Sequence, residues 1–570
     1  MKVLNVAIGC ASAIALAVVV TAQSGFAANS GAPATQHASE SLLQLIRPAF
    51  ADLTPCETSV LVAASKGTIA SCAEGLNDDA PGAGARDPRF NPAYGDHWSP
   101  DRDVRAALLR WLLVDREASK FLDPAGVRIR GARISAPLNL RNVTIPVEIS
   151  LSYCYLPHGV DLSGAKIPEL RIINSSAGEL RLESISTTRD LDLEFNTVSF
   201  HWHAHTAGVV DLNSSQVGGA LMMSGCHVKS PGDSESAVNA RGMTTKQGVY
   251  FTDSFRTDGV VDMTDANVGA DLHFDGARFV PMLPDAKLPA FLNDARAASM
   301  NGLLARGIAI KGALWWTEVV TTPRTFLDLT DAKVATLIDD ESSWPHPGNL
   351  LIDGFTYGRI ACPVGADMGL YWARRPAKGC ALDAAARLKW LGLQAPDIYY
   401  PQPYRQLAAF LTARGDMSGA RSVYIAAQNQ EMSRGKLSVM QRVWGWLLWA
   451  TIDYGYESTW ALLWAAIIAL IGGVVVRMAH DAGVMKPVQP ERRLTAPMIY
   501  SIDVFVPFVD LRLQRNWWPD PTAHGTAKLF GLRVPISGSA VRIYLWLHII
   551  AGYTLTALFV GGLSGLVHNR

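Results

Sequence analysis

The sequence predicts a mixed fold, in which a β-solenoid of stacked coils is followed by an α-helical membrane domain with two spans. Three observations predict it. An eight-residue pattern recurs from Val127 onward, as in VDLSGAKI at Val160–Ile167 and LDLTDAKV at Leu327–Val334. Two apolar stretches near the C-terminus are each long enough to cross a bilayer. Between these parts, the apolar residues take the spacing of amphipathic helices.

The composition limits the classes of partner. The 570 residues include 51 Lys and Arg against 51 Asp and Glu, so the formal net charge is zero. A chain of this length has room for roughly three or four domains. A balanced charge gives no basis for nucleic-acid binding, and the apolar stretches make the membrane the first predicted partner.

The N-terminus predicts export. Residues 1–28 are predicted to be a signal peptide or an N-terminal anchor, because Lys2 precedes an apolar run from Val3 to Val20 and then small residues. Either alternative exports the residues that follow. Export would allow disulfides between the two pairs of cysteines that flank a predicted helix and a loop, which are Cys56 with Cys72 and Cys362 with Cys380.

Residues 29–126 are predicted to form a helical N-terminal cap. Thr54 and Pro55 begin one helix, because a capping hydroxyl and a proline precede apolar residues at helical spacing. A second helix is predicted over SPDRDVRAALLRWLLVD, with Ser99 as its cap and Pro100 in its first turn.

Residues 127–360 are predicted to be the solenoid. In each motif an apolar residue is followed five positions later by another, with a small residue between them, as in Leu162, Ala165 and Ile167. A helix does not use this spacing, and a plain strand alternates over a longer run. The spacing favours a coil that turns a corner every few residues and must stack on its neighbours to bury its apolar side. Cys154 and Cys226 fall at inward positions and are interpreted as small hydrophobic residues.

Residues 361–435 are predicted to be a loop and a helical hairpin. YRQLAAFLTARGDMSGARSVYIAAQ contains two apolar stripes of helical period that meet at Gly415–Asp416. One hairpin is too short for a peptide-binding array. It is therefore predicted to connect the solenoid to the membrane domain.

Residues 436–570 are predicted to be the membrane domain, with spans at 458–478 and 541–567 flanked by Trp and Tyr. Segment 440–456 is too short to span and contains three tryptophans, so it predicts an interfacial helix. Segment 498–511 is apolar but interrupted by Asp503, Pro507 and Asp510. That pattern predicts a segment that is either re-entrant or lies on the membrane surface.

The order of these motifs resembles one bacterial family of pentapeptide-like membrane proteins. The resemblance rests on the repeats and on the segments WSPDRDVRAALLRWLL, YPQPYRQLAAFLTARGD, DYGYESTWALLW, YSIDVFVPFVDL and VRIYLWLHIIAGYTLTALFVGGLSGLV. It implies a right-handed, degenerate pentapeptide-repeat β-helix. Some members carry the label "membrane-associated oxidoreductase".

The oxidoreductase label finds no support in the sequence motifs. The sequence contains no GxGxxG between a strand and a helix, no CxxC and no CxxCH, which would indicate a dinucleotide, a redox dithiol or a covalent haem. We therefore predict no cofactor and no enzymatic activity, and keep the oxidoreductase as the weakest alternative.

HWHAH is a candidate metal-binding motif. On a strand, His201, His203 and His205 would share one face and could hold a metal with a ligand from a neighbouring coil. The alternative is that all three project into solvent from a loop.

Asp503, Asp510 and His548 are the candidate site residues of the membrane domain. Ionisable side chains inside membrane segments are costly and face a partner, water or an ion path. The alternative is that the two carboxylates lie at the level of the lipid headgroups and anchor the loop. Span, short apolar segment and span distantly resemble the two-span cation channels, but the T-V-G-Y-G filter is absent.

The predicted location is the bacterial cytoplasmic membrane, with the solenoid in the periplasm, because Lys and Arg are in excess in the loop between the spans. The predicted function is a non-enzymatic envelope scaffold that binds a protein on its solenoid surface. The alternative is a channel or transporter module with the solenoid as its sensor, and a homo-oligomer fits either.

Overall fold

A computed structural model describes most of the chain after the predicted signal. The described ranges are 42–46, 50–73, 87–198, 210–229, 236–257, 259–279, 301–362, 381–434, 437–455, 459–488, 496–529 and 532–563. Segment 1–28, the three histidines of HWHAH and Cys380 lie outside them. The described chain contains large sheets of parallel strands, a group of helices, and two helices long and apolar enough to cross a membrane.

Three sheets of parallel strands build the region from 127 to 361, which we call the parallel-sheet region, and two of them also take a strand from the chain before it. The first has sixteen strands, Ile69–Ser71, Val127–Arg130, Ile149–Ser152, Lys166–Ile167, Leu170–Ile173, Ser186–Thr187, Leu191–Asp192, Gln216–Val217, Leu221–Met222, Thr244–Thr245, Val249–Tyr250, Asn267–Val268, Leu272–His273, Ala309–Trp316, Lys333–Asp339 and Thr356–Ala361. The second has eight, Asp103–Val104, Arg133–Ile134, Tyr155–Leu156, Ser176–Ala177, Thr197–Val198, His227–Val228, Arg256–Thr257 and Arg278–Phe279. The third has nine, Leu138–Asn139, Val160–Asp161, Leu180–Arg181, Val210–Asp211, Val238–Asn239, Val260–Asp262, Asn301–Leu304, Thr325–Asp328 and Leu350–Leu351.

The chain visits the sheets in a repeating order. Between Val160 and Ala177 it adds a strand to the third sheet, two to the first and one to the second. Val160 pairs with Leu180, Ser176 with Thr197 and Leu180 with Val210, so most strands lie beside one that is 20 to 30 residues further along. Consecutive stretches of the repeat therefore lie on one another in parallel.

The repeated Asp and the small residues after it form the corners. Asp161, Asp262 and Asp328 each accept a hydrogen bond from the backbone N–H two residues later, at 3.0–3.1 Å. The residue that follows this N–H donor, three positions after the Asp, has positive φ in every repeat, and this conformation favours Gly, Asn and Asp. These left-handed residues are Asn142, Gly164, Ser184, Ser214, Gly242, Asp265, Gly307, Asp331 and Gly354.

The apolar residues of the repeat share one continuous core. Leu162, Met263 and Leu329 are at most 1% exposed and belong to the same cluster, as predicted. Cys154 and Cys226 are buried free thiols in that cluster, which confirms their interpretation as hydrophobic residues. The repeat pattern therefore specifies which side chains face inward.

The N-terminal region is only partly the helical cap that was predicted. Helix α1 (Pro55–Lys66) begins at Thr54 as expected. The helix predicted from Ser99 was wrong at its start, because α2 spans only Ala106–Val114. Residues 100–102 form a 3₁₀ turn instead, and Asp103–Val104 pairs with Arg133–Ile134 in the second sheet. Pairing with the sheet outweighs local helix propensity here.

Three helices follow the parallel-sheet region, α3 (Ala384–Leu391), α4 (Pro401–Ala413) and α5 (Met417–Arg434). Helices α4 and α5 form the predicted hairpin. Gln402 and Gln406 on α4 donate side-chain hydrogen bonds to the carbonyls of Phe355 and Tyr357, at 2.9 and 2.7 Å. The hairpin is thereby fastened to the last strand of the first sheet.

The described part of the membrane domain contains four α-helices, α6 (Val439–Ile452), α7 (Thr459–Asp481), α8 (Pro497–Phe505) and α9 (Gly538–Leu563). Helices α7 and α9 are the two that could span a bilayer. Two antiparallel strand pairs lie between them, Met485–Pro487 with Trp517–Pro519 and His524–Leu529 with Leu532–Ser537. Helix α6 exposes Trp444, Trp446 and Trp449.

Candidate functional site

Helices α7, α8 and α9 meet at Ser501. The Ser501 hydroxyl donates to the carbonyl of Ala469 on α7 at 2.8 Å, and its oxygen lies 3.1 Å from Nε2 of His548 on α9. Gly472 makes this approach feasible, because a Cβ at that position would collide with the Ser501 hydroxyl and the His548 ring. The three helices are therefore joined by a small polar contact that requires glycine.

His548 is held as a buried ring by that contact. The single Ser501 proton is directed to Ala469, so Nε2 of His548 must carry the ring proton that reaches Ser501. Its Nδ1 has no hydrogen-bond partner among the described residues. Tyr544 stacks on the ring at 5.6 Å between centroids, and Phe505 lies 4.9 Å away. In this state the imidazole fixes the packing of the helices.

Asp503 fastens the chain that follows α8. Its buried carboxylate accepts backbone hydrogen bonds from Leu511, Leu513 and Gln514, at 2.5, 2.8 and 2.9 Å. Three donors around one carboxylate satisfy a charge that would otherwise be costly to bury. Asp503 therefore has a structural role as the anchor of a tight turn.

The depth of this turn follows from two contacts of α8. Ala469, which binds Ser501, is the eleventh residue of the 23 in α7. The carbonyl of Phe505 lies against Gly552, beyond the midpoint of α9. Asp503 lies between these contacts, so residues 511–514 reach about half the length of the spans. The segment is thus a hairpin that packs against the two helices about halfway along them, and not at their ends.

The path back to the helix ends is long enough to allow this depth. The Asp520 amide donates to the carbonyl of Val484, just after α7 ends, at 3.0 Å. Six residues separate Gln514 from Asp520, and an extended chain of that length covers about 20 Å. Half of the hydrocarbon core is about 15 Å thick. Gln514 can therefore lie near the middle of the bilayer.

Charged side chains project from this hairpin at that depth. Asp510 and Arg515 form an ion pair at 3.0 Å, with 53% and 70% of their side chains exposed. Arg512 is exposed beside them. A charge at the bilayer centre costs about 2.5–3.5 kcal/mol. This face is therefore unsuited to contact with lipid tails.

The three candidate residues of the membrane domain do not form one cluster. Asp503 binds backbone amides, Asp510 binds Arg515, and His548 binds Ser501. Asp503 anchors the turn from a buried position beside α7 and α9. Sequence reasoning missed Ser501, Arg512 and Arg515. Its only signal for the arginines was the basic excess of the loop.

The other candidate residues divide by whether the structure describes them. Cys56 and Cys72 are joined by a disulfide, as predicted, with a Cα–Cα distance of 4.9 Å. Cys362 is also disulfide-bonded, while its predicted partner Cys380 lies outside the described ranges. His201, His203 and His205 also lie outside them. Within those ranges, no group of three or more His, Cys, Asp or Glu residues is arranged to hold a metal.

A cavity of about 680 Å³ lies beside the candidate site, near the end of α7. Its lining is mainly apolar, with His524 and Tyr544 as its ionisable residues. Comparisons with protein-family models, with curated proteins and with solved structures found no match to this chain.

Proposed function

We propose that this protein is a membrane-anchored, right-handed β-solenoid of the bacterial envelope that presents its rod to a protein partner and has no enzymatic activity. The step of 20 to 30 residues between most paired strands and the shared core support stacked coils. Handedness and bacterial origin rest on the resemblance of the sequence motifs. The disulfide between Cys56 and Cys72 supports an oxidising compartment for the rod.

The observation that carries this proposal is the tight joint between rod and membrane. Arg387 on α3 and Asp339 at the end of a long strand form an ion pair with both side chains buried. Further along, the Tyr454 hydroxyl bonds Asn429 on α5 at 3.2 Å, which couples the hairpin to the start of the membrane domain. A rod held by packed contacts keeps a fixed direction from the bilayer, which suits the display of a binding surface.

A column of stacked rings on the outside of the first sheet is the candidate binding surface. The Tyr250 and His273 rings lie 5.0 Å apart, and His273 and Trp315 lie 5.2 Å apart. All three are partly exposed, on the opposite side of their strands from the core residues. Aromatic side chains are enriched at protein interfaces, so this column is where we place the partner.

The test is purification of the full chain from its native membrane in mild detergent, with identification of what co-purifies. Tyr250→Ala combined with His273→Ala is expected to lose the partner, and Lys166→Ala, an exposed change on another part of the rod, is expected to keep it. Retention of the same partner by the first variant, with thermal stability unchanged, would place the binding surface elsewhere. A partner that none of these changes affects would contradict the proposed surface.

A channel-like module is the second candidate, favoured by the charged hairpin at half depth. Non-helical backbone inside a membrane is tolerated where it is covered by protein or lines water. Ion flux through liposomes containing the purified chain is the test, with Asp510→Asn as the variant and Lys166→Ala as its control. Flux that Asp510→Asn alters and Lys166→Ala does not would support conduction, and the absence of flux would remove this candidate.

A further inference from the structure

We propose that several copies of this chain associate in the membrane through residues 506–516, the returning limb of the hairpin, with Asp510 of one copy paired to Arg512 of its neighbour. The inference concerns a self-association surface. It does not depend on a partner for the rod, and it requires no conduction.

The charged side chains of the limb lie at a depth where they need a covering other than lipid. Asp510, Arg512 and Arg515 are exposed in the single chain, about halfway along α7 and α9. Lipid tails cannot hydrogen-bond these groups, and two spans are too few to enclose water by themselves. The remaining neighbours are protein or a water-filled space bounded by protein. Either one requires a second polypeptide at this face.

The charges on the limb complement those of another copy. Within one chain, Asp510 accepts bonds from the Arg515 guanidinium at 3.0 Å and from the Arg512 amide at 2.9 Å. A carboxylate has room for further donors. The Arg512 guanidinium has no ion-pair partner among the described residues. Each copy thus offers the Asp510 carboxylate, which can accept further hydrogen bonds, and the Arg512 guanidinium, which has no ion-pair partner among the described residues.

The backbone holds Arg512 in position for this role. Its φ is +59°, a left-handed conformation that a non-glycine residue adopts only when the surroundings impose it. The amide bonds of Leu511 and Leu513 to the buried Asp503 fix the residues on either side. The turn therefore directs the Arg512 side chain outward at a set depth.

A second copy fits the face better than a lipid headgroup. A phosphate could neutralise Arg512 but would be repelled by the Asp510 carboxylate beside it. A neighbouring copy supplies both signs. Phe508 and Leu511, which are 76% and 47% exposed, provide apolar surface on the same limb that association would bury. A contact from residue 510 of one copy to residue 512 of the next can be reciprocal in a two-fold dimer or repeat around a ring.

The experiment is hetero-cross-linking of the full chain in membranes. Two differently tagged copies are co-expressed, one with Asp510→Cys and the other with Arg512→Cys, and oxidised. A disulfide between the tags is expected. In the control, Lys528→Cys replaces Arg512→Cys in the second copy. Lys528 lies on the exposed strand pair outside the spans, so this control is expected to give about tenfold less disulfide-linked product. No product above that of the Lys528 control would overturn the proposal.

Charge reversal tests the pairing itself. In lipid nanodiscs the native chain is expected to have the mass of an oligomer. Asp510→Arg alone and Arg512→Asp alone are each expected to weaken assembly by about tenfold, and the two together to restore it. A monomeric native chain, or one that carries bound phospholipid lost in Arg512→Gln, would overturn the inference. Assembly without ion flux would keep the inference and remove the channel candidate.

Discussion

Arg387 and Asp339 form a two-point ion pair, with Nη1–Oδ2 and Nη2–Oδ1 distances of 2.8 and 2.6 Å. The pair joins α3 to the first sheet, and its two residues are 48 positions apart in the sequence. Both residues of the pair make a further hydrogen bond. Arg387 Nε donates to the carbonyl of Ala381, and Trp344 Nε1 donates to the Asp339 carboxylate. A buried charge pair is tolerated when its hydrogen bonds are satisfied in this way.

Replacement of Asp339 is expected to weaken this joint. Asp339→Ala leaves the Arg387 guanidinium buried without its counter-charge, and the loss of one partner of a buried pair costs about 3–5 kcal/mol of unfolding free energy. Thermal unfolding of the full chain in detergent, followed by circular dichroism, measures the effect. Asp87→Ala, which breaks the exposed pair with Arg89, is the control and should leave the unfolding temperature close to that of the native chain. Equal effects of the two changes would contradict the role of the buried pair.

Glu57 gives the N-terminal region a predictable response to acid. Burial opposes its ionisation, but hydrogen bonds from Arg105 and Thr54 outweigh burial and hold the Glu57 pKa below its usual 4.5. A carboxyl whose pKa is lower in the folded state stabilises the fold above its unfolded pKa. That contribution is lost as the pH falls through the folded value.

Glu57→Gln is therefore expected to lower the urea midpoint at neutral pH and to have little effect once the pH is below the folded pKa. Urea unfolding across an acid titration measures both. Glu117→Gln, in an exposed pair with Lys120, is the matched control and should leave the titration unchanged. A deficit of Glu57→Gln that persists unchanged in acid would point to packing and not to the charge.

The cysteines should differ in reactivity. Burial raises the pKa of Cys154 to about 11 and that of Cys226 to about 12, so neither is a thiolate near neutral pH. We expect alkylation of both thiols only after unfolding. Mass mapping without reduction should recover Cys56 and Cys72 in one linked peptide pair. Reduction is expected to cost the fold about 3 kcal/mol. Alkylation of Cys154 in the folded chain would show that its coil opens readily.

The repeat was the part most open to prediction from sequence. The five-residue step identifies inward side chains such as Leu162, because corner and core positions depend on residues only a few places apart. The strand at Asp103–Val104 was missed, because its partner lies 30 residues away and local propensity favours a helix. Likewise, the role of Asp503 depends on amides 8 to 11 residues later, which composition does not reveal.

Gly472 should be required for the packing of the membrane domain. Gly472→Ala places a Cβ against the Ser501 hydroxyl and the His548 ring, so α7 must move away from α8 and α9. Overpacking of this kind costs about 1–3 kcal/mol, and Gly472→Val should cost more. Hydrogen exchange of α8 in detergent measures the loosening locally, and the strands of the parallel-sheet region should exchange as in the native chain. Leu470→Ala is the control, because Leu470 lies on the same helix and is 55% exposed. Native exchange in α8 after Gly472→Val would contradict the close approach of the three helices and, with it, the depth assigned to the hairpin.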